Sequence, residues 1–256
     1  MEIRLLEKDK MKLSFLVRGI APYFANSIRR AIIEEVPTLA IEEVEFRDNS
    51  SILYDETIAH RLGLVPLKTD IKSYTYYQDC KCKGEGCAHC QTKLTLKTGK
   101  IGMVTAADLK SKDKDVAPIN PGIPLTKLIK GQSIELEATA VMGKGKEHSK
   151  WAPGHIYYYN EAKITVNNDD KLLEQYKAKY PPQIFDKNGK IDRSLINTPE
   201  LIDACDGISK LVDIEKKEDS FIFVLESWGQ LAPKTIILEA LEQIKTQLNE
   251  LAQKIK

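Results

Sequence analysis

Apolar residues recur along this chain with two periods, and the switches between them mark its elements. In residues 2–19, Ile3, Leu5, Leu13, Phe15 and Val17 alternate with polar neighbours on either side of the charged stretch 8–10, the pattern of a β-hairpin. After Pro22 the period changes. Phe24, Ile28, Ala31 and Ile32 form one helical stripe, Arg29, Arg30, Glu34 and Glu35 lie off it, and Pro37 ends it. Ile41, Val44 and Phe46 suggest a strand with less regular spacing. Residues 93–97 alternate, as do 133–141, with Ile134, Leu136, Ala138 and Ala140 on one face. Between them, residues 116–124 carry three prolines and read as an ordered surface crossing. A strand entered at 157–159 ends near Val166. Residues 167–212 are polar and broken by Pro181, Pro182, Gly189 and Pro199, after which strand character returns at 221–225.

The chain closes on a helix predicted from Pro233. Ile237, Leu241, Ile244, Leu248, Leu251 and Ile255 are spaced 4, 3, 4, 3, 4, a coiled-coil seam of nearly three heptads. Such a helix either packs on its own domain or shares its seam with another polypeptide. The second reading is favoured because the seam continues to within one residue of the last.

Residues 53–67, LYDETIAHRLGLVPL, hold Asp55, Glu56, His60 and Arg61 and so invite a catalytic reading. The spacing argues for structure instead. Asp55 is a good N-cap, Glu56 suits a first turn, Ile58 and Leu62 share a face, and Gly63 is a natural stop. His60 and Arg61 are adjacent and point in different directions. The expectation is a short capped helix leading into an extended run over 64–67.

Composition narrows the classes. At 256 residues the chain is long enough for about two domains. Its 38 Lys plus Arg against 37 Asp plus Glu argue against a dedicated nucleic-acid binder, which would be clearly basic. The first twelve residues lack the apolar core of a signal peptide, and no apolar run is long enough to span a bilayer, so a cytoplasmic protein without a membrane partner is expected.

Four of the five cysteines, Cys80, Cys82, Cys87 and Cys90, are spaced C-x-C-x4-C-x2-C. Four thiolates on a short loop can close a tetrahedral shell around Zn²⁺. Gly84 and Gly86 would allow the turn between the pairs, and Lys81, Lys83 and Lys93 would offset the negative charge. With four ligands and no open position, such a zinc ion would be structural. Disulfides from the same cysteines and a metal-free loop stay open as alternatives. His89 ranks low as a substitute ligand.

Residues 53–67 resemble a signature of the alpha-like RNA polymerase subunits: the D-type subunit of archaea, the third-largest subunit of eukaryotic polymerase II, and bacterial alpha. Residues 24–41, FANSIRRAIIEEVPTLAI, are similar to the family's assembly helix and following strand. Residues 143–153, GKGKEHSKWAP, resemble its loop before the next strand, and 221–231, FIFVLESWGQL, its last strand and turn. The resemblance implies an α+β fold with a discontinuous assembly domain of 1–46 and 213–256. It further implies an inserted, mainly β domain over 47–166 that carries the cysteine loop, and a degenerate ferredoxin-like insert over 167–212.

The implied function is that of a non-catalytic assembly subunit of the archaeal DNA-directed RNA polymerase. It would pair with the L-type subunit and form, with the N- and P-type subunits, the platform for the large catalytic subunits. The pairing surface would comprise Phe24, Ile28 and Ile32 with Ile237, Leu241, Ile244, Leu248, Leu251 and Ile255. Direct sequence-specific DNA contact is not expected. Eukaryotic relatives carry a similar zinc loop with one residue fewer between the second and third cysteines. Some archaeal relatives carry an iron–sulfur insert, whose start residues 180–191 resemble. Tyr180 stands here where a cysteine would be expected, and Cys205 is the one cysteine of 167–212, so no iron–sulfur cluster is expected and Cys205 reads as a small core residue.

Nucleotidyl transfer by the whole polymerase needs clustered aspartates for Mg²⁺. The pair Asp169 and Asp170 reads as a turn, so no catalytic residue is assigned. Two other classes fit less well. A zinc-ribbon nucleic-acid binder would use Tyr74, Tyr76 and Tyr77, but Tyr74 and Tyr76 alternate as in a strand. A thiol oxidoreductase using Cys87-x-x-Cys90 is disfavoured by the second cysteine pair and the lack of a thioredoxin-like context.

Overall fold

The periods read from the sequence resolve, in a computed structural model describing residues 1–76, 79–83 and 85–255, into a mixed α/β chain with several sheets. In chain order the strands are β1 (Glu2–Lys8), β2 (Lys12–Arg18), β3 (Pro37–Asn49), β4 (Gln91–Thr98), β5 (Gly102–Thr105), β6 (Lys110–Ser111), β7 (Pro124–Leu128), β8 (Ile134–Lys144), β9 (Gly154–Val166) and β10 (Val212–Ser227). The helices are α1 (Pro22–Glu34), α2 (Asp55–Gly63), α3 (Asp170–Tyr176), α4 (Pro199–Cys205) and α5 (Pro233–Lys254). Among the described residues no helix is long and apolar enough to cross a membrane. Contacts divide the chain into two units.

One unit gathers residues 1–6, 14–25 and 157–224. Its sheet runs β1-β2-β10-β9. Phe15 stacks on Phe223 at 5.1 Å, and Tyr158 meets Phe221 edge-on at 5.4 Å. β1 is an edge strand exposed along its whole length, so Ile3 and Leu5 alternate without being buried. β10 extends well before 221–225 because its polar half, residues 213–219, pairs within the sheet despite lacking an apolar rhythm.

Residues 167–212 are more ordered than their composition suggests. Asp169 caps α3, its carboxylate accepting from the backbone of Lys171 and Leu172 at 3.0 and 3.1 Å. Thr198 caps α4, with Pro199 in its first turn. Leu173, Tyr180, Ile184, Ile191, Ile196, Cys205 and Leu211 pack with Ile164 and Val212 into a small core.

The other unit gathers residues 7–13, 26–156 and 225–256. Its main sheet runs β3-β8-β4-β6, beside a two-stranded ribbon, β5-β7. β3 pairs with β8 antiparallel, with register shifts between Ile41 and Glu43 and between Phe46 and Asp48. These bulges explain the uneven spacing of Ile41, Val44 and Phe46: each inserts a residue and resets the alternation. Ile134, Leu136, Ala138 and Ala140 of β8 are buried, and α2 adds Ile58 and Leu62 to the same core. In α2, Asp55 is the first helical residue rather than the cap, which is Tyr54. The Asp55 carboxylate accepts from Asn49 Nδ2 at 2.7 Å instead.

Two of the resembling segments earn their residues locally. After β8 the chain runs so close to the end of α1 that a Cβ on Gly145 would lie 1.9 Å from the Ile33 carbonyl oxygen. Lys146 N–H donates to Glu34 O there at 3.0 Å. After β10, Gln230 accepts from Thr69 N at 3.1 Å through its backbone oxygen and donates its side-chain amide to Leu39 O at 3.4 Å.

Candidate metal centre and amphipathic helices

The cysteine loop is folded by its own turns. Lys83 N–H donates to Cys80 O at 2.9 Å with Lys83 at φ 51°, and Cys90 N–H donates to Cys87 O at 3.0 Å. Gly86 takes φ +88°, a left-handed conformation that favours glycine, and the Gln91 amide fills the space where a Cβ would stand. Gly84 lies outside the described residues. Cys90 is held directly by the sheet, since β4 starts at the next residue and pairs Gln91 with Val141. Thr75 N–H donates to His89 O at 2.8 Å and ties down the second turn.

These turns bring together all four sulfurs of Cys80, Cys82, Cys87 and Cys90, within 4.8 Å of one another. Cys80–Cys87 and Cys82–Cys90 stand at 3.5 Å, and Cys87–Cys90 at 3.8 Å. A tetrahedral zinc ion with Zn–S bonds of about 2.3 Å sets S···S edges of ~3.8 Å. The spacing therefore fits such an ion, and none of the cysteines is bridged by a disulfide. Cys87 N–H also donates to Cys90 Sγ at 3.2 Å, an arrangement that favours the thiolate. Burial pushes the Cys90 thiol up to about 12. The Cys80 thiol is also raised: Cys82's backbone hydrogen bond lowers it, but the Cys82 thiol contact and burial outweigh that. A bound divalent cation reverses this preference by stabilising thiolates directly.

The surroundings differ from the sequence reading in two ways. Lys81 and Lys83 are exposed beside the loop, but Lys93 is paired with Glu137 at 2.5 Å, so its charge goes to that carboxylate. Tyr74 and Tyr76 are not in a strand. Tyr74 is buried and its hydroxyl donates to Asp113 at 2.6 Å, while the Tyr76 hydroxyl donates to Glu147. Tyr77 lies outside the described residues. His89 is exposed and is not among the clustered ligands.

In α1, Ile28 and Ile32 are buried and Phe24 is 40% exposed. In α5 the seam splits. Ile237 and Ile244 are half-buried, whereas Leu241, Leu248, Leu251 and Ile255 are exposed. The residues that anchor α5 are Pro233, Ile236 and Ala240, a face missed by reading the heptads alone. The signal was present: Ile236 and Ala240 are an i,i+4 pair beside the seam. From residue 245 onward every described side chain of the helix is exposed. Lys144 joins the two helices in this unit, pairing with Glu35 after α1 at 3.2 Å and donating to Gln243 of α5 at 3.3 Å.

The carboxylates and bases of 53–67 do not converge. His60 is exposed, and Arg61 donates to Leu125 O at 2.9 Å, fastening α2 to β7. Cys205 is fully buried, and burial raises its thiol.

A model of the RNA polymerase Rpb3/RpoA insert domain matches residues 44–156. The chain is 37% identical over 258 residues to DNA-directed RNA polymerase subunit Rpo3 of Methanosarcina acetivorans, covering 98% of this chain and 97% of that one. It is 35% identical to DNA-directed RNA polymerase subunit Rpo3 of Thermococcus kodakarensis, over 94% of this chain and 92% of that one. To DNA-directed RNA polymerase II subunit rpb3 of Dictyostelium discoideum it is also 35% identical, with 98% and 93% covered.

Proposed function

Since the chain belongs to the Rpo3/Rpb3 family of DNA-directed RNA polymerase subunits, we propose that it is a non-catalytic assembly subunit that pairs with an alpha-like subunit of the L type. With the N- and P-type subunits it forms the platform on which the large catalytic subunits assemble, in the cytoplasm. The assembly part is residues 1–46 with 213–256, the insert is 47–166, and 167–212 is the degenerate ferredoxin-like segment, which holds no iron–sulfur cluster.

One observation carries the pairing. Leu241, Leu248, Leu251 and Ile255 are exposed by 42, 61, 55 and 76% along a single helix. A contiguous apolar patch of this kind marks an interaction site in a soluble protein. On α1 only Phe24, 40% exposed, is offered to a partner; Ile28 and Ile32, expected to join it, are buried within the chain and hold the helix from inside. Co-expression with an L-type subunit tests it. The pair should elute as a 1:1 complex, and the chain alone should self-associate. A chain that stays monomeric with the L-type subunit present would refute the pairing.

The four cysteines hold one Zn²⁺ per chain as a structural cross-link, which supplies no reaction chemistry. The S···S distances support this. Metal analysis of protein purified without added zinc should give a ratio near one, and a ratio near zero with reduced thiols would refute it.

A further inference from the structure

The ribbon β5-β7 has two unlike sides. Val104, Thr126 and Leu128 are buried, at 2, 2 and 0% exposure. Met103 and its register partner Lys127 are exposed. Just beyond the last register pair, Gly102 with Leu128, stand Ile101 and Ile129. Ile101, Met103 and Ile129 are 62, 58 and 60% exposed, so three large apolar side chains gather at one end of a ribbon whose other side is anchored in the core.

This end is held in shape. Gln132 N–H donates to Ile129 O at 3.1 Å, and the Gln132 side-chain oxygen accepts from Ile129 N at 3.0 Å. The local structure thus fixes Ile129 outward. A Cβ built on Gly131, two residues after Ile129, would meet nothing within 4 Å, so the turn beside Ile129 is open to solvent. Around it stand Lys100, Lys127 and Lys130, all exposed, and none has a carboxylate in ion-pair range among the described residues. Lys97, three residues before Lys100, is by contrast paired with Glu135 at 2.6 Å.

An apolar centre inside an unpaired rim of one sign specifies its complement. We propose that this end of the ribbon is a docking face for a protein segment that presents aliphatic side chains flanked by Asp or Glu. The lysines select and steer that segment, and the three apolar side chains bury against it. A protein fits better than a lipid surface because the patch is small and held by a core-anchored ribbon, and because a polymerase subunit has neighbouring chains. The face lies in β5-β7 and uses no residue of α1 or α5, so it goes beyond the helix pairing and can fail independently of it.

The test places a photo-crosslinking side chain at Met103 in the assembled polymerase. The expected product joins one neighbouring subunit through a segment in which aliphatic residues are flanked by at least two carboxylates. Lys100→Glu, Lys127→Glu and Lys130→Glu together should lower its yield about fivefold or more, and raised salt should lower the yield of the unsubstituted chain. The triple variant should keep its zinc and its 1:1 pairing with the L-type subunit. Crosslinks only to this chain, a second copy, nucleic acid or lipid would overturn the proposal, as would a yield that neither charge reversal nor salt changes. Loss of the 1:1 pair in the unsubstituted chain, with the Met103 crosslink intact, would count against the helix pairing alone.

Discussion

Glu161 shows how much a single residue of this chain does and how little of that the sequence displays. Its carboxylate accepts from Arg18 at 2.9 and 2.6 Å and from Lys217 at 3.0 Å, so β9, β2 and β10 meet at one ionised group. The Arg18 guanidinium, outweighing burial, holds the Glu161 carboxyl down to about 2 from an ordinary 4.5. A depressed folded value means stability that is fully present above pH ~4.5 and lost as pH falls through ~2. Glu161→Gln should therefore flatten the acid limb of the stability curve between those values. At neutral pH it should cost on the order of 1–3 kcal/mol, toward the lower end because Arg18 is partly solvated. Denaturant unfolding across pH checks both; an unchanged acid limb would show that the network contributes nothing. Gly145 is a second case. Gly145→Ala has no room against the Ile33 carbonyl, so it should destabilise by roughly 1–3 kcal/mol and lower the thermal midpoint. Neither role is legible in the sequence, because Arg18 and Ile33 lie far along the chain from the residues they meet.

Elements were legible where one face is buried and the other wet. The alternation of β8, the stripe of α1 and the apolar pair Ile58 and Leu62 of α2 follow from period alone, whereas the expected cap at Asp55 falls one residue late, since Tyr54 holds the cap position. Legibility failed where burial departs from pattern. β1 alternates yet is exposed at a sheet edge, and β3 looks irregular because two bulges reset its register. In 167–212 the signals were present but local: Asp169 and Thr198 are N-caps, and Pro199 opens α4. The cysteine loop was legible from spacing, since C-x-C and C-x2-C turns bring sulfurs together with little help from the rest of the fold. Its charge balance was not, because Lys93 finds Glu137 across the sheet. Cys87→Ser should lower zinc content severely and raise hydrogen exchange over residues 80–90. The sheet behind it, anchored through Leu94, Leu96 and Leu136, should stay protected. Uniform loss of protection through β4 and β8 would make the loop part of the core rather than an appendage of it.

At the scale of the whole molecule, the two helices that the sequence marks as amphipathic fare differently. α1 buries Ile28 and Ile32, while α5 is anchored by Pro233, Ile236 and Ala240 and then leaves its distal half in water. Fully burying an exposed Leu or Ile contributes roughly 1.5–3 kcal/mol, and Leu241 and Leu248, 42 and 61% exposed, together leave about one such side chain for a partner to cover, worth about 1.5–3 kcal/mol. Each keeps a large apolar surface that the folded chain does not cover. The measurement that follows is sizing of the Leu241→Asp, Leu248→Asp double variant co-expressed with the L-type subunit, with zinc content measured on the same sample. The expected result is loss of the 1:1 complex with zinc unchanged. A double variant that still pairs normally would contradict the pairing role of α5.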